Sequence, residues 1–260
     1  MPLPDDPDET IARLCDELAD FDASRTADAQ RHLMATLSQL LNAKNVAWVG
    51  AVRASLVPED LLLGWRIGHF EYLHNDPVNL EAVKELKRLW EKREVDSLAL
   101  YQIRETGRFH AFSLRKAMAA EWFEQDYYRL LYAGRGIHDA ITVMFPVNED
   151  AQSVFVIHGG LTRAAFGDAE IALAARALRG IKWFHRQLML SHGLLAASTP
   201  LSPAERKVLQ LLLTGASEKE IAQQLGLAVS TAHQYVTSIY RKFGVNGRAG
   251  LMSLWLNRAG

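Results

Sequence analysis

The sequence is poor in cysteine: Cys15 is the only one among 260 residues. A single thiol excludes an intrachain disulfide and a cysteine-rich zinc site. No apolar run approaches the roughly 20 residues that a membrane-spanning helix needs. The first ten residues, MPLPDDPDET, are acidic and lack the basic and then apolar order of a signal peptide. These absences lead us to expect a soluble, cytoplasmic protein that does not enter a membrane.

Neither sign of charge dominates the whole chain, whose formal net charge is −1 at pH 7. The two signs are nevertheless unevenly distributed. Residues 198–260 hold seven basic and three acidic side chains, whereas residues 1–197 hold 22 basic and 27 acidic ones. A small basic unit that follows a larger acidic one is typical of a nucleic-acid-binding domain attached to a second domain. A difference of this size is also compatible with chance, so charge alone does not decide the function.

The hydrophobic pattern changes near residue 195, which divides the chain into two parts. Helical periodicity predicts helices over residues 8–22, 26–42, 77–94, 115–133 and 168–195. Runs rich in β-formers predict strands over residues 45–53, 63–72, 137–147 and 153–158, and residues 95–105 fit neither pattern. The order predicts an α+β domain over residues 1–195, a linker at 196–200 and an all-α domain over residues 201–260. The α+β domain is expected to hold an antiparallel sheet with flanking helices.

A helix over residues 168–195 would carry apolar side chains on two faces, for example Leu178 on one face and Phe184 on the other. Such a helix needs two partners, because each apolar face must be buried. One partner is its own sheet, and the other is a second copy of the chain. We therefore expect a homodimer.

The last sixty residues carry precise helix signals. Two capping boxes predict helix starts: Ser202-Pro203-Ala204-Glu205 and Ser217-Glu218-Lys219-Glu220. A third helix over about 230–243 would bury one stripe, formed by Ala232, Val236, Ile239 and Phe243. A polar strip without acidic residues would face away from the core and comprises His233, Gln234, Thr237 and Arg241. Two short helices joined by a tight turn, the second with such a strip, predict helix-turn-helix geometry.

These residues resemble the LuxR-type DNA-binding domain over about 201–258. The matching motifs are Leu201-Ser202-Pro203-Ala204-Glu205, Gly215-Ala216-Ser217, Lys219-Glu220-Ile221-Ala222, Leu225, Ser230-Thr231 and Ile239-Tyr240-Arg241-Lys242-Phe243-Gly244-Val245. The resemblance implies a four-helix domain that dimerises and reads inverted half-sites in the major groove of double-stranded DNA. The implied base-facing residues are His233, Gln234 and Thr237. The implied phosphate-contacting residues are Lys219, Ser230, Thr231, Arg241 and Lys242.

The segment departs from the family pattern at four positions. Family members usually have valine at Ala232, a basic residue at His233, histidine at Tyr235 and a serine or threonine cap at Ala228. These departures predict that the half-site sequence of other family members does not apply to this protein. They also predict a lower affinity for DNA, because fewer fixed cations release fewer counterions. The alternative interpretation is a helical dimerisation module that does not bind DNA.

The first 195 residues exclude several input domains found in such regulators. No acidic pair follows the first predicted strand, as a phosphoacceptor receiver requires, and no GxxxxGK[ST] phosphate loop is present. The segments Asn75-Asp76-Pro77-Val78 and 136–146 are similar to parts of an autoinducer-binding domain, but Trp65 and Tyr72 lack the spacing of its Trp–Tyr pair. The order of Tyr127–Tyr132, the predicted hairpin and Phe166-Gly167-Asp168 resembles PAS and GAF sensory domains. We expect a PAS/GAF-like sensory and dimerisation domain.

A sheet covered by helices can enclose a cavity lined by aromatic side chains. The candidates for ligand contact are Trp48, Trp65, Trp122, Tyr128 and Tyr132. Each of them can equally be an ordinary core residue. Histidines and aspartates are scattered over the same region without ligand spacing on one helix face, so we predict no metal site and no cofactor. No nucleophile–base pair is evident, and we predict no enzymatic activity.

The sequence as a whole predicts a one-component, dimeric transcriptional regulator that is controlled by a small ligand or a protein partner at its N-terminal domain. RNA polymerase is a possible further partner. The alternative keeps the DNA-binding domain but makes the N-terminal domain a constitutive dimerisation or protein-docking module. The two hypotheses differ in whether the N-terminal domain holds a ligand cavity that affects DNA binding.

Overall fold

The computed structural model describes residues 6–54, 59–92 and 94–256 of the chain, with the backbone alone for residues 90 and 91. Its packing divides the chain into two compact units. The first unit comprises Met1–Cys15 and Arg31–Lys182, and the second comprises Asp16–Gln30 and Trp183–Gly260. The second unit takes in segments on both sides of the predicted linker, so the domain boundaries at 195 and 201 stay a prediction.

The first unit is built on a five-stranded antiparallel sheet with the strand order β2-β1-β5-β4-β3. Its strands are Asn45–Arg53 (β1), Trp65–Tyr72 (β2), His110–Ser113 (β3), Ile137–Asn148 (β4) and Ala151–Gly160 (β5). The sequence predicts four of these strands. It misses β3, because four residues are too few to display a clear alternation. The predicted α+β architecture with an antiparallel sheet is confirmed.

Seven helices among the described residues precede, separate or follow these strands along the chain. They are Pro7–Ala19 (α1), Thr26–Leu40 (α2), Pro77–Glu91 (α3), Ser97–Arg104 (α4), Leu114–Ala117 (α5), Asp126–Leu131 (α6) and Asp168–Arg179 (α7). Residues 95–105, which fit neither pattern in the sequence, contain α4. Its start is fixed by the Asp96 carboxylate, which accepts hydrogen bonds from the backbone N–H groups of Leu98 at 3.2 Å and Ala99 at 3.0 Å. This side-chain cap satisfies two donors that a helix start leaves without partners.

The predicted single helix over residues 115–133 is wrong. The segment is divided into α5, a short 3₁₀ turn at Ala120–Glu124 and α6. Gln125 interrupts the helical path with an extended backbone (φ −79°, ψ 151°). Within the 3₁₀ turn, the indole of Trp122 donates a hydrogen bond to the Asp96 carboxylate at 3.0 Å. A tertiary contact therefore decides the local conformation, and periodicity alone does not reveal it.

The predicted helix over residues 168–195 is also wrong as an unbroken element. It consists of α7 and a second helix, Lys182–Ser191 (α8), with Gly180 between them. Glycine weakens a helix because its backbone loses more freedom there than that of any other residue. Each of the two apolar faces that suggested a dimer contact is therefore interrupted at Gly180 and does not run along one continuous helix.

The two faces of the sheet carry different side chains and have different surroundings. Trp48 on β1 is fully buried, and its indole donates a hydrogen bond to the Ser153 hydroxyl on β5 at 2.8 Å. The neighbouring positions on the same strands point to the opposite face because side chains alternate along a strand. That opposite face contains Val49, Val154 and Val156 and lines a cavity.

The chain enters β4 through Gly136, whose φ is +67°. A Cβ atom at this position would lie 2.8 Å from the Lys44 Nζ. We expect Gly136→Ala to lower the free energy of unfolding by about 1–2 kcal/mol, because L-residues are strained in left-handed backbone. Urea denaturation of the full chain measures the loss.

Gly180→Ala is the matched control for this change. Gly180 has a helical φ of −74°, and an added Cβ would meet open space. The control is expected to be neutral or to stabilise by about 0.5–1 kcal/mol. Equal losses in the two variants would show that the backbone conformation of Gly136 is not responsible.

The C-terminal segment of the second unit contains most of α8 and, among the described residues, four further helices. These are Pro203–Leu213 (α9), Glu218–Leu225 (α10), Val229–Phe243 (α11) and Arg248–Leu256 (α12). Both predicted capping boxes are confirmed, with the Ser202 hydroxyl accepting from the Glu205 N–H and the Ser217 hydroxyl from the Glu220 N–H. The predicted all-α architecture of this region is confirmed.

Candidate nucleic-acid interface and ligand cavity

The turn between α10 and α11 is short. Helix α10 ends at Leu225, Gly226 takes a left-handed conformation with a φ of +65°, and α11 begins at Val229. Ala228 occupies the N-cap position of α11, where alanine has no oxygen to accept a hydrogen bond from the first turn. Two helices joined by three residues give the helix-turn-helix geometry that the sequence predicts.

Helix α11 presents one buried and one exposed face. The predicted stripe is buried and comprises Ala232, Val236, Ile239 and Phe243. The side chains on the opposite face are exposed to solvent: His233, Gln234, Thr237 and Arg241. The exposed face carries hydrogen-bonding groups and no carboxylate of its own, so it can approach phosphate and base edges without charge repulsion.

The remaining residues predicted to contact phosphate differ in their surroundings. Lys219 on α10 and Ser230 in the first turn of α11 are exposed, and Thr231 is half-buried. On the exposed face, the Nδ1 of His233 lies 3.0 Å from a carboxylate oxygen of Glu218 on α10. This contact joins the two helices of the motif and limits the rotamers of His233.

Lys242 is engaged inside the second unit. Its side chain is 20% exposed, and its Nζ donates hydrogen bonds to the Glu205 carboxylate at 2.7 Å and to the Pro200 carbonyl at 3.0 Å. Glu205 also accepts from the Ser202 N–H at 2.7 Å and from the Ser238 hydroxyl at 2.9 Å. The carboxylate of Glu205 therefore joins the start of α9 to α11. A contact from Lys242 to phosphate stays a prediction, and replacing Lys242 is expected to affect folding as well.

The hydrogen bonds to Glu205 determine its protonation. Burial alone would raise the pKa of this carboxyl, but hydrogen bonds from Lys242, Ser202 and Ser238 outweigh burial and lower the pKa from 4.5 to about 2. The ionised form is the one that the fold stabilises. Its contribution is complete above the unfolded pKa and disappears as the pH falls through the folded value.

This linkage predicts acid sensitivity of the second unit. We expect the free energy of unfolding to decrease between about pH 4.5 and about pH 2 as Glu205 becomes protonated. Urea denaturation at a series of pH values measures the decrease. Glu205→Gln removes the titrating group and should give a shallower pH dependence over that interval. An unchanged pH dependence in that variant would contradict the role of Glu205.

A second candidate site lies in the first unit. A cavity of about 120 Å³ lies between the sheet and helices α3, α4 and α6. Its wall is mostly apolar, and β5 contributes Val154 and Val156. A buried water needs roughly 10–15 Å³ of such space, so the cavity has room for about ten water-sized groups. It is a concave, largely apolar site of the kind that holds small molecules.

The five aromatic residues predicted to contact a ligand are divided between the cavity and other places. Trp65 and Tyr132 are among the residues that line it. Trp48 lies on the opposite face of the sheet, and the indole of Trp122 is bound to Asp96. The Tyr128 hydroxyl donates to the His138 carbonyl at 3.1 Å. These three contacts are structural, and only Trp65 and Tyr132 remain in the proposed site.

Polar groups that the sequence analysis did not assign to the cavity also line it. Gln152 and His158 lie at the two ends of the inner face of β5. The Gln152 Nε2 and the His158 Nδ1 are buried and have no hydrogen-bond partner among the described residues. The pKa of His158 is lowered to about 3, mainly by burial and further by the positive charges of Arg135 and Lys44. The imidazole is therefore neutral. The sequence contains one signal that could have indicated these two residues: both are polar and occupy inward-facing positions of a strand whose inward positions between them are valines.

Comparison with known proteins identifies the C-terminal segment. Residues 199–255 match the model of a family described as bacterial regulatory proteins, luxR family. The chain is 40% identical over 63 residues to the probable HTH-type transcriptional regulator GfsR of Streptomyces halstedii, a match that covers 24% of this chain and 26% of that protein. It is 42% identical over 55 residues to the transcriptional regulatory protein MctR of Rhizobium johnstonii, covering 21% and 26%. The chain thus spans about a quarter of the length of these curated relatives.

Solved structures show the same fold over nearly all of the chain. SdiA in complex with octanoyl-rac-glycerol has a TM-score of 0.50 at 12% identity, covering 98% of this chain and 96% of that one. Escherichia coli SdiA in the space group P6522 has a TM-score of 0.50 at 13% identity, covering 96% of each chain. Of the helices described, none is long and apolar enough to cross a bilayer. The segment 199–255 is a helix-turn-helix domain of the luxR family, as its sequence motifs indicate.

Proposed function

We propose that this chain is a one-component transcriptional regulator that binds a specific duplex DNA sequence through α11. The observation that carries the proposal is the exposed face of α11 within a segment that matches the luxR family. Gln234, Thr237 and His233 are proposed to contact base edges. Lys219, Ser230, Thr231, Arg241 and Lys242 are proposed to contact phosphates. We assign no catalytic activity to the chain.

The cavity of the first unit supports control by a small molecule. SdiA, which shares the fold, was solved with octanoyl-rac-glycerol. We propose that the cavity of this chain also takes a small, mostly apolar ligand, with Trp65 and Tyr132 in contact with it. The ligand controls DNA binding only if it binds two arrangements of the protein with different affinity.

The remaining features of the proposal rest on the sequence. A homodimer is proposed because a regulator that reads inverted half-sites presents two recognition helices related by a two-fold axis. Trp183 on α8 is 40% exposed and is available for such a contact. On the same basis we propose the division at residues 195 and 201 and the closer classification of the first domain as PAS- or GAF-like. We also propose a cytoplasmic location and contact with RNA polymerase.

Selection of bound sequences from random duplex DNA tests this function. The purified full chain is expected to enrich one motif with two half-sites, and the recovery of that motif should change when small molecules that fill the cavity are added. Enrichment that no ligand alters would favour the alternative, a constitutive dimerisation or docking module in the first unit. Failure to enrich any sequence would contradict the proposed function.

A further inference from the structure

We propose that the ligand of the cavity is a short-chain or medium-chain carboxylate, and that Arg135, Tyr72 and His158 recognise its carboxylate group. The inference deepens the proposed function, because it names the chemical class of the ligand. It rests on groups that meet at one end of the cavity, where the partners of the Arg135 guanidinium are all neutral and the His158 Nδ1 has no partner among the described residues.

Arg135 is the first of these groups. Its side chain is half-buried, lines the cavity and donates hydrogen bonds to the Asn79 amide oxygen at 2.7 and 2.9 Å and to the Leu131 carbonyl at 2.8 Å. A fourth hydrogen bond goes from its Nη2 to the Tyr72 hydroxyl at 2.8 Å. All of these acceptors are neutral. Within the described parts of the chain, the hydrogen bonds of this guanidinium go to these neutral groups and not to a carboxylate. A half-buried cation without an anionic partner is costly, and an anionic ligand would supply one.

Tyr72 and His158 add hydrogen-bonding groups beside Arg135. The Tyr72 hydroxyl accepts from Arg135, so its own proton can be donated to a ligand oxygen. Its ring lies 6.0 Å from that of His158, measured between centroids. Tyr72 and His158 are only 5% and 3% exposed. The His158 Nδ1 has no partner within the described chain, and in the tautomer with the proton on Nδ1 it can donate to the same ligand oxygen.

Two cations lie at this end of the cavity, Arg135 and Lys44. Lys44 Nζ donates to the Arg135 carbonyl, and both cations lie close enough to contribute to the neutral state of His158. The carboxylate of Asp76 acts on Tyr72 from the outer side and accepts two hydrogen bonds from Asn79, each at 2.7 Å. A second carboxylate, Asp96, acts on Tyr132, but the charges that act on His158 are the two cations. A ligand carboxylate beside His158 would give these cations an anionic partner.

The rest of the cavity suits an alkyl chain. Beyond His158, the inner face of β5 is formed by Val156 and Val154, and Leu86 of α3 and Leu98 of α4 lie opposite within the same wall. At roughly 10–15 Å³ for each water-sized group, the volume of about 120 Å³ accommodates about ten non-hydrogen atoms. Octanoate has that number of atoms, with eight carbons and two oxygens. Burial of the chain supplies affinity, and the carboxylate supplies orientation.

The test compares octanoate with octanamide, which has the same shape and no charge. Isothermal titration calorimetry of the full chain at neutral pH should show octanoate binding about tenfold more tightly than octanamide, because charge-assisted hydrogen bonds are the stronger ones. The neutral ester octanoyl glycerol is a third ligand. Hexanoate and decanoate are included, so the result does not depend on one chain length.

Three variants assign the effect to the proposed residues. Tyr72→Phe and Arg135→Gln should each reduce the preference for octanoate over octanamide by about fivefold or more. Lys44→Met changes an exposed side chain and should reduce the preference by about twofold, which provides a test even if Arg135→Gln does not fold. Lys84→Met is the matched control for Lys44→Met, because Lys84 is an exposed lysine on α3 that is not among the residues lining the cavity. It should leave the preference unchanged.

The outcomes separate the inference from the proposed function. If octanamide or octanoyl glycerol binds as tightly as octanoate, the cavity binds ligands but the carboxylate proposal is overturned. If no ligand of any chain length binds, the carboxylate proposal and ligand control both fail, while selection of DNA sequences still tests the DNA-binding function independently. An equal loss of preference in Lys84→Met would overturn the assignment to Arg135 and Tyr72.

Discussion

Glu205→Ala is expected to destabilise the second unit by about 3–5 kcal/mol at neutral pH, because it breaks a buried ion pair from one side. The carboxylate accepts hydrogen bonds from Lys242, Ser238 and the Ser202 N–H. Removal of this carboxylate leaves the ammonium of Lys242, whose side chain is 20% exposed, without its anionic partner. The variant also loses half of a capping box at the start of α9. Such a loss is large compared with the usual stability of a small domain.

Urea denaturation followed by tryptophan fluorescence measures this effect in the full chain. Two matched variants separate its causes. Glu205→Gln keeps the shape and some hydrogen bonds and should lose less stability than Glu205→Ala. The double variant Glu205→Met with Lys242→Met removes both charges and should recover a substantial part of the loss, as buried ion pairs replaced by apolar residues often do. A double variant as unstable as Glu205→Ala would contradict the ion-pair explanation.

The combined change Gln234→Ala with Thr237→Ala is expected to remove most of the sequence preference of the DNA complex. Each good base contact contributes about 1–3 kcal/mol of discrimination. Both side chains are exposed on α11, whereas Ala232 and Val236 on the same helix are buried. The pair can therefore be replaced without disturbing the core.

Fluorescence anisotropy with the selected sequence and with a scrambled duplex measures that preference. The matched control is Arg241→Ala, which should weaken binding to both duplexes equally and lower the salt dependence by about one released counterion. Lys242 is a poor control because its ammonium is bound to Glu205. If the two kinds of variant weaken both duplexes alike, the division into base and phosphate contacts is incorrect.

The helical C-terminal part was predictable because its signals are local. The capping boxes at Ser202 and Ser217 specify where α9 and α10 begin, and the stripe from Ala232 to Phe243 specifies which face of α11 is buried. Such signals involve residues three or four positions apart, which a sequence displays directly. The ion pair between Glu205 and Lys242 was not predictable in this way. Thirty-seven positions separate the two residues, and only the packing of α9 against α11 brings them together.

The first unit shows where sequence patterns become insufficient. Strand β1 was predicted, but its pairing with β5 determines that Trp48 faces Ser153 rather than the cavity. The aromatic segment around Trp122 has helical spacing, yet a bond to Asp96 holds it in a 3₁₀ turn. Pairing and tertiary contacts of this kind override local propensity.

The polar end of the cavity illustrates the same limitation. Tyr72, Arg135 and His158 come from β2, from the turn before β4 and from β5, and the strand order β2-β1-β5-β4 brings them to one side of the sheet. Sequence reasoning could note that each is polar. It could not show that Arg135 lacks an acidic partner, because the absence of a contact is a property of the folded chain.

The direct test of the account is photo-crosslinking from α11 to DNA. A photoreactive amino acid is placed at position 237, on the exposed face, or at position 207, an exposed position on α9. The account predicts efficient crosslinks from position 237 to bases inside the selected sequence and few from position 207. Crosslinks from position 207 with none from position 237 would show that α11 does not enter the major groove, and would contradict the proposed function.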